Sequence, residues 1–262
     1  MYDFDFVKPA SIADAAKAMA ADGAQALSGG QTLIPTMKAR LASPTVLVSL
    51  TGIPEMRGVC MADDGVSIGA ATTHATVASE AAKYYPALAK LAGNIGDPAV
   101  RNKGTLGGSL ANNDPSACYP AAVLGSGATV HTNKRQIKAD DYFQGMFTTA
   151  LDEGEFIISV TFPVPQKAAY VKFDQPASRF ALTAVFVAKY ADGVRVAVTG
   201  AAENGVFRWA EAEAALSSNF NAAAIAGLAV PSNSMIGDLH GTPAYRANLV
   251  KVLTGRAVTA AA

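Results

Sequence analysis

Residues Arg101–Pro120 read RNKGTLGGSLANNDPSACYP. Within them, Gly104-Thr105-Leu106-Gly107-Gly108-Ser109 sets three glycines in five positions, just ahead of a polar Asn-Asn-Asp-Pro turn. Glycines this close let backbone N–H groups converge on an anion, because no Cβ keeps the ligand away. A second loop of the same character lies upstream, Leu27-Ser28-Gly29-Gly30-Gln31-Thr32-Leu33-Ile34-Pro35. One Gly-Gly pair alone marks a tight turn. Two separated glycine loops can clamp one diphosphate.

The flanks make the pair specific. SGGQTLIPTMKAR (Ser28–Arg40) and RNKGTLGGSLANNDP (Arg101–Pro115) resemble the two FAD-pyrophosphate motifs of the FAD-binding medium subunit of molybdenum hydroxylases, the family of carbon monoxide dehydrogenase and xanthine dehydrogenase. The likeness continues through ATTHATVAS (Ala71–Ser79), FIISVTFP (Phe156–Pro163) and Tyr170–Val187, and so spans nearly the whole chain. It implies an α+β fold with a two-part PCMH-type FAD-binding domain over residues 1–165, with subdomains of about 1–55 and 56–165. A small C-terminal domain would follow over 166–262, built of a three-stranded antiparallel sheet and helices.

Bulk properties narrow the function classes. Lys+Arg and Asp+Glu both number 21, which argues against a nucleic-acid footprint or a polybasic membrane patch. The longest apolar run, Ala181–Ala188, is far too short to span a bilayer. The N-terminal MYDFDF is acidic and aromatic, with no secretory pattern, so a cytoplasmic protein is expected. Two cysteines, Cys60 and Cys118, and three scattered histidines offer no iron–sulfur or zinc site on this chain. Neither a Rossmann fingerprint nor a P-loop is present.

Local signals outline the elements. Residues 1–10 read as a short strand closed by Pro9, and Ser11 with Asp14 as a capping pair for a helix ending near Gly23. Gln25–Ser28 is a brief strand, and Thr32 is placed to cap a helix through Arg40. That would set a helix N-terminus beside the first glycine loop. Thr45–Leu50 and Gly65–Ala70 read as strands, Thr73–Glu80 and Tyr84–Leu91 as helices, and Asn94–Val100 as a loop. A helix then runs from Pro120 to Gly125. Ala128–Thr132 opens a hairpin, Ala139–Phe147 contains a short helix, and Phe156–Phe162 is a strand ended by Pro163 and Pro165. Beyond them Tyr170–Phe173, Leu182–Tyr190 and Val194–Ala202 form a meander, with a hairpin turn at Ala191-Asp192-Gly193. Helices are expected over Ala210–Ser217, Ala222–Leu228 and Pro243–Leu253, and fraying after Gly255.

The candidate site follows from the loops. Ser28, Gly29, Gly30, Gln31 and Thr32, with Thr105, Gly107, Gly108 and Ser109, supply backbone N–H groups and the hydroxyls of Thr32, Thr105 and Ser109 for a pyrophosphate, with Leu27 and Leu33 flanking. The resemblance implies apolar contacts from Ile95 and Ile157 beside the cofactor, where core packing is the plainer role. It also implies a position near the isoalloxazine for Lys172, which otherwise reads as a solvated strand charge. Asp114 is either a turn former or a cofactor contact, and His74 reads as a packing residue. Relatives commonly carry an acid where this chain has Cys118, so one polar contact is expected to be lost or moved to Asn112, Asn113 or Asp114.

No catalytic acid, base or nucleophile stands out, which suits an electron carrier. The resemblance implies a subunit that takes electrons from [2Fe–2S] clusters on a small iron–sulfur subunit, ahead of which a large molybdopterin subunit oxidises substrate. The electrons would leave through FAD to an external acceptor. Two rivals stand beside it: a stand-alone FAD-dependent oxidoreductase with the same fold, and a cofactor-free interaction module whose glycine loops are only turns.

Overall fold

The computed structural model describes residues 1–261. The chain begins with β1 (Asp5–Val7), α1 (Ile12–Met19), β2 (Ala24–Leu27), α2 (Leu33–Lys38) and β3 (Val46–Ser49). Ser11 caps α1 as its sequence predicts, accepting Asp14 N at 3.1 Å. The helix buries Ala15 and Met19, one turn apart on the same face. All three strands are parallel, in the order β1-β3-β2. Parallel pairing needs a crossover, and α1 and α2 fill those connections.

The middle of the chain contains β4 (Val59–Ala62), β5 (Gly65–Gly69), α3 (His74–Glu80), α4 (Pro86–Gly93), α5 (Pro98–Arg101), α6 (Leu106–Asn112) and α7 (Tyr119–Ser126). It continues through β6 (Thr129–Thr132), β7 (Gln136–Lys138), α8 (Ala139–Tyr142), the small ribbon of β8 (Phe143–Gly145) and β9 (Thr148–Thr149), and β10 (Ile157–Phe162). Its antiparallel sheet runs β4-β5-β10-β6-β7, so the late strand β10 is central and closes the unit. The segment expected as a plain loop before the central motif contains α5, because Asp97 accepts Val100 N and Pro98 occupies the first turn.

The last part is β11 (Lys167–Asp174), β12 (Ala181–Lys189), β13 (Val194–Ala202), β14 (Gly205–Arg208), α9 (Ala210–Ser218) and α10 (Pro243–Ala261). Its antiparallel sheet has four strands, one more than expected. The extra strand returns through a tight turn at Gly205 (φ +85°), too short for alternation to reveal it. Ala222–Leu228 forms only a 3-10 turn over Ala222–Ile225, capped by Asn221. The expected fraying after Gly255 does not occur: α10 runs on to Ala261 because Leu253, Ala257 and Val258 are buried against the sheet. That burial exceeds the cost of about 1 kcal/mol for a glycine inside a helix.

α7 joins the parts of the molecule. All eight of its residues are buried, and it packs on β12, β13 and β14. The segment that precedes it, Asp114–Cys118, is hydrogen-bonded to β13 of the C-terminal sheet, Gly200 N donating to Pro115 O at 2.7 Å.

Candidate functional site

The first glycine loop starts where β2 stops. Leu50 N donates to Leu27 O at 2.8 Å, and the chain then leaves the sheet at Ser28. Among the described residues, no protein acceptor takes the backbone N–H of Ser28, Gly29, Gly30, Gln31 or Thr32. Gly30 sits at φ +69°, a conformation in which L side chains are strained. Consecutive free amides around a left-handed residue form an anion-binding concavity. Thr32 precedes α2 as expected, but its hydroxyl makes no capping bond and it has φ −108° and ψ −52°. The six residues of α2 add little macrodipole. The free amides carry the positive potential here.

The second glycine loop is built differently. Thr105 caps α6, accepting Gly108 N at 3.3 Å, while Ser109 N reaches Thr105 O at 3.1 Å. Leu106 N and Gly107 N donate to Thr72 O and Ala70 O. The amides of Leu106–Ser109 are thus used within the protein, and what this loop presents is the Ser109 hydroxyl and a small surface. Its glycines serve close approach. A Cβ on Gly107 would meet Ala70 Cβ at 2.6 Å, and one on Gly29 would overlap Lys103 O. Gly108 differs: a Cβ there would meet only Thr105 Oγ1 at 3.0 Å and Ser28 Cβ at 3.9 Å. Thr105 Oγ1 donates to Ser28 Oγ at 2.8 Å, which ties the two loops together across a large sequence separation.

Between the loops opens a cavity of about 680 Å³, in the usual range for cofactor and ligand sites. Leu27, Ser28, Gly29, Gly30, Gln31, Thr32 and Leu33 line it from the first loop, and Thr105, Gly107, Gly108 and Ser109 from the second. Ile95, Asp114 and Ile157 line it as expected, and of the expected set only Lys172 does not. Among the described residues, Arg179 is the only Lys or Arg in the lining. Arg101 is committed elsewhere, donating to Ile95 O and Gly96 O and so shaping the wall around Ile95.

Lys172 is neither a solvated strand charge nor part of the lining. Its side chain is fully buried, with Nζ donating to Asn94 O at 2.7 Å and Arg179 O at 2.9 Å, and pairing with Asp174 at 2.7 Å. It clasps the wall after α4 to the β11–β12 hairpin, whose tip brings Ser178–Phe180 to the cavity. Asp114 realises its turn-forming role: Oδ1 accepts Ser116 N at 2.8 Å and its carbonyl accepts Ala117 N at 2.9 Å. Cys118 also lines the cavity, and burial pushes its thiol up against the opposing charge of Lys172. The thiol is therefore neutral.

His74 packs as expected and also faces the cavity. It is 5% exposed and lies 5.3 Å, centroid to centroid, from the Tyr119 ring. Burial, with a smaller contribution from Arg101, lowers its pKa to about 4. Its Nδ1 has no hydrogen-bond partner among the described residues. Thr73 caps α3, and His74 N donates to Gly104 O at 2.9 Å, so the first residue of that helix is pinned to the second glycine loop. Sequence reasoning missed Glu155, Phe156 and the hairpin tip, which reach the lining from distant segments.

Known proteins resemble the chain over most of its length. Residues 2–165 match the family described as the FAD binding domain in molybdopterin dehydrogenase. The chain is 34% identical to the nicotine 6-hydroxylase medium subunit of Paenarthrobacter nicotinovorans, over 98% of this chain and 96% of that one. It is 38% identical to the carbon monoxide dehydrogenase medium chain of Afipia carboxidovorans, over 70% of this chain and 68% of that one. Among solved structures it resembles quinoline 2-oxidoreductase from Pseudomonas putida 86, with TM-score 0.89 and 27% identity over 99% of this chain and 97% of that one.

Proposed function

The chain belongs to the FAD-binding domain family of the molybdopterin dehydrogenases, as a medium subunit of a molybdenum hydroxylase, and on that premise we propose how it works. It takes electrons from the [2Fe–2S] clusters of a small partner subunit and passes them to an external acceptor. Substrate oxidation belongs to a large molybdopterin subunit. The carrying observation is the single cavity walled by both glycine loops, with five consecutive amides from Ser28 to Thr32 free to bind a diphosphate.

These residues fit FAD. The Ser28–Thr32 amides hold the diphosphate, and the Gly108 surface leaves room for it. Ile95 and Ile157 supply apolar walls, while the Ser109 hydroxyl and Asp114 carboxylate add polar contacts. When bound, FAD supplies redox chemistry that works in one- or two-electron steps. Lys172 holds two walls at fixed separation, and neutral His74 keeps a positive charge out of the pocket. We assign the boundary between the FAD-binding and C-terminal units to residues 165 and 166, and a cytoplasmic location. No described helix is long and apolar enough to cross a membrane.

The test is isolation from the native host. The chain should bring down a small cysteine-rich subunit and a large molybdopterin-binding subunit in equal ratio, and be inactive when separated from them. A homogeneous flavoprotein that oxidises an aldehyde or N-heterocycle alone would refute the assignment and favour a stand-alone oxidoreductase.

A further inference from the structure

The Asp114–Cys118 segment forms one wall of the cavity, and its rear is held by the C-terminal sheet. Thr199 Oγ1 lies 2.9 Å from both Pro115 O and Ala117 O, and Gly200 N donates to Pro115 O at 2.7 Å. Thr199 is fully buried and does not line the cavity. One hydroxyl and one amide of β13 thus take up the carbonyls of the turn whose other side carries Asp114, Ser116 and Ala117 to the pocket.

β13 is free to make these bonds because its ladder is broken there. Pairing with β12 ends at Ala184 opposite Thr199, and the register with β14 shifts between Val198 and Ala202. Gly200 takes φ +82°, and a Cβ on it would meet Ala181 O at 2.5 Å. Interruptions of this kind re-aim side chains beside functional sites. Arg246 of α10 secures the break, with Nη1 donating to Leu182 O at 2.6 Å and Gly200 O at 2.7 Å. The guanidinium is almost wholly buried and pairs with Asp238 at 2.7 Å. A buried charge is committed to holding this irregular backbone in place.

We propose that Thr199 is a positioning residue for the flavin: its hydroxyl fixes the Asp114–Cys118 wall, so β13 sets cofactor affinity from behind that wall without itself lining the cavity. The inference rests on the assignment of the cavity to FAD. The test compares full-length wild type, Thr199→Val and Thr199→Ser by FAD titration, by visible circular dichroism of the bound flavin, and by melting of the FAD-free protein. Thr199→Val should bind FAD about tenfold more weakly, the scale of one lost hydrogen bond, with an altered flavin dichroism. Thr199→Ser should restore both to within about twofold of wild type, since it keeps the donor. Should Thr199→Val not fold, Thr199→Ala removes the same hydroxyl without placing a methyl among buried neighbours, and the same loss is expected. Unchanged affinity and dichroism in the hydroxyl-free variant, or equal losses in Thr199→Ser, would overturn the inference. Failure of the wild type itself to take up FAD would instead overturn the assignment of the cavity.

Discussion

Replacing Gly108 separates cofactor binding from folding. Gly108 is the third residue of α6 and does not need a left-handed backbone. Alanine in a helix interior is favoured over glycine by about 1 kcal/mol. Against that stands one tight contact, Cβ to Thr105 Oγ1 at 3.0 Å, which the hydroxyl can relieve by a shift of a few tenths of an ångström. The FAD-free protein should therefore melt within about 2 °C of wild type. The cavity is affected differently, because the new methyl projects from the lining beside the hydrogen-bonded Thr105–Ser28 pair, next to the Ser28–Thr32 amides that would hold the diphosphate. Overfilling a packed site by a methyl costs about 1–3 kcal/mol. FAD affinity should fall by about 5- to 150-fold, and Gly108→Val should lose flavin retention altogether. The assay pairs FAD titration, followed by flavin fluorescence, with melting of the FAD-free chain. Gly227→Ala, with open space around its Cβ, is the control. Undiminished affinity in Gly108→Ala would refute the placement of the diphosphate, and parallel loss of melting and binding would reduce the effect to misfolding.

Two further substitutions probe the walls. The depressed pKa of His74, from 6.5 to about 4, means the native state favours the neutral ring. Its contribution is full above pH 6.5 and is lost as pH falls towards 4, a total of about 3 kcal/mol; denaturant titrations across that window should show a flatter pH dependence for His74→Gln than for wild type, and equal slopes would contradict the assignment. Lys172→Met leaves Asn94 O and Arg179 O without their donor. It should destabilise the chain by on the order of 2 kcal/mol, less than a wholly buried pair because Asp174 is 44% exposed. A midpoint unchanged in urea would show that the clasp does not hold the hairpin.

What the sequence revealed was mostly local. Ser11 with Asp14 is a cap whose partner lies three residues away, and it forms as the sequence implies. Both glycine loops were visible for the same reason, since each packs its signal into a few residues. The different structures of the two loops were not. Glycines at 107 and 108 argue against a helix on propensity, yet α6 forms because Leu106 and Leu110 are wholly buried and Thr105 caps it. Lys172 shows the other limit: its acceptors at Asn94 and Arg179 belong to different segments, and no periodicity joins them. Thr199 looks like any β-branched strand residue until the fold brings Pro115 and Ala117 beside it.

The most direct test of the flavin site is to purify the full chain, load it with FAD and measure stoichiometry and release. One FAD per chain is expected, with all of it freed into solution on denaturation, since neither glycine loop contains a histidine or cysteine and the cavity's Cys118 and His74 are buried, with the thiol neutral. A colourless chain that cannot be loaded with FAD would contradict the account at its centre.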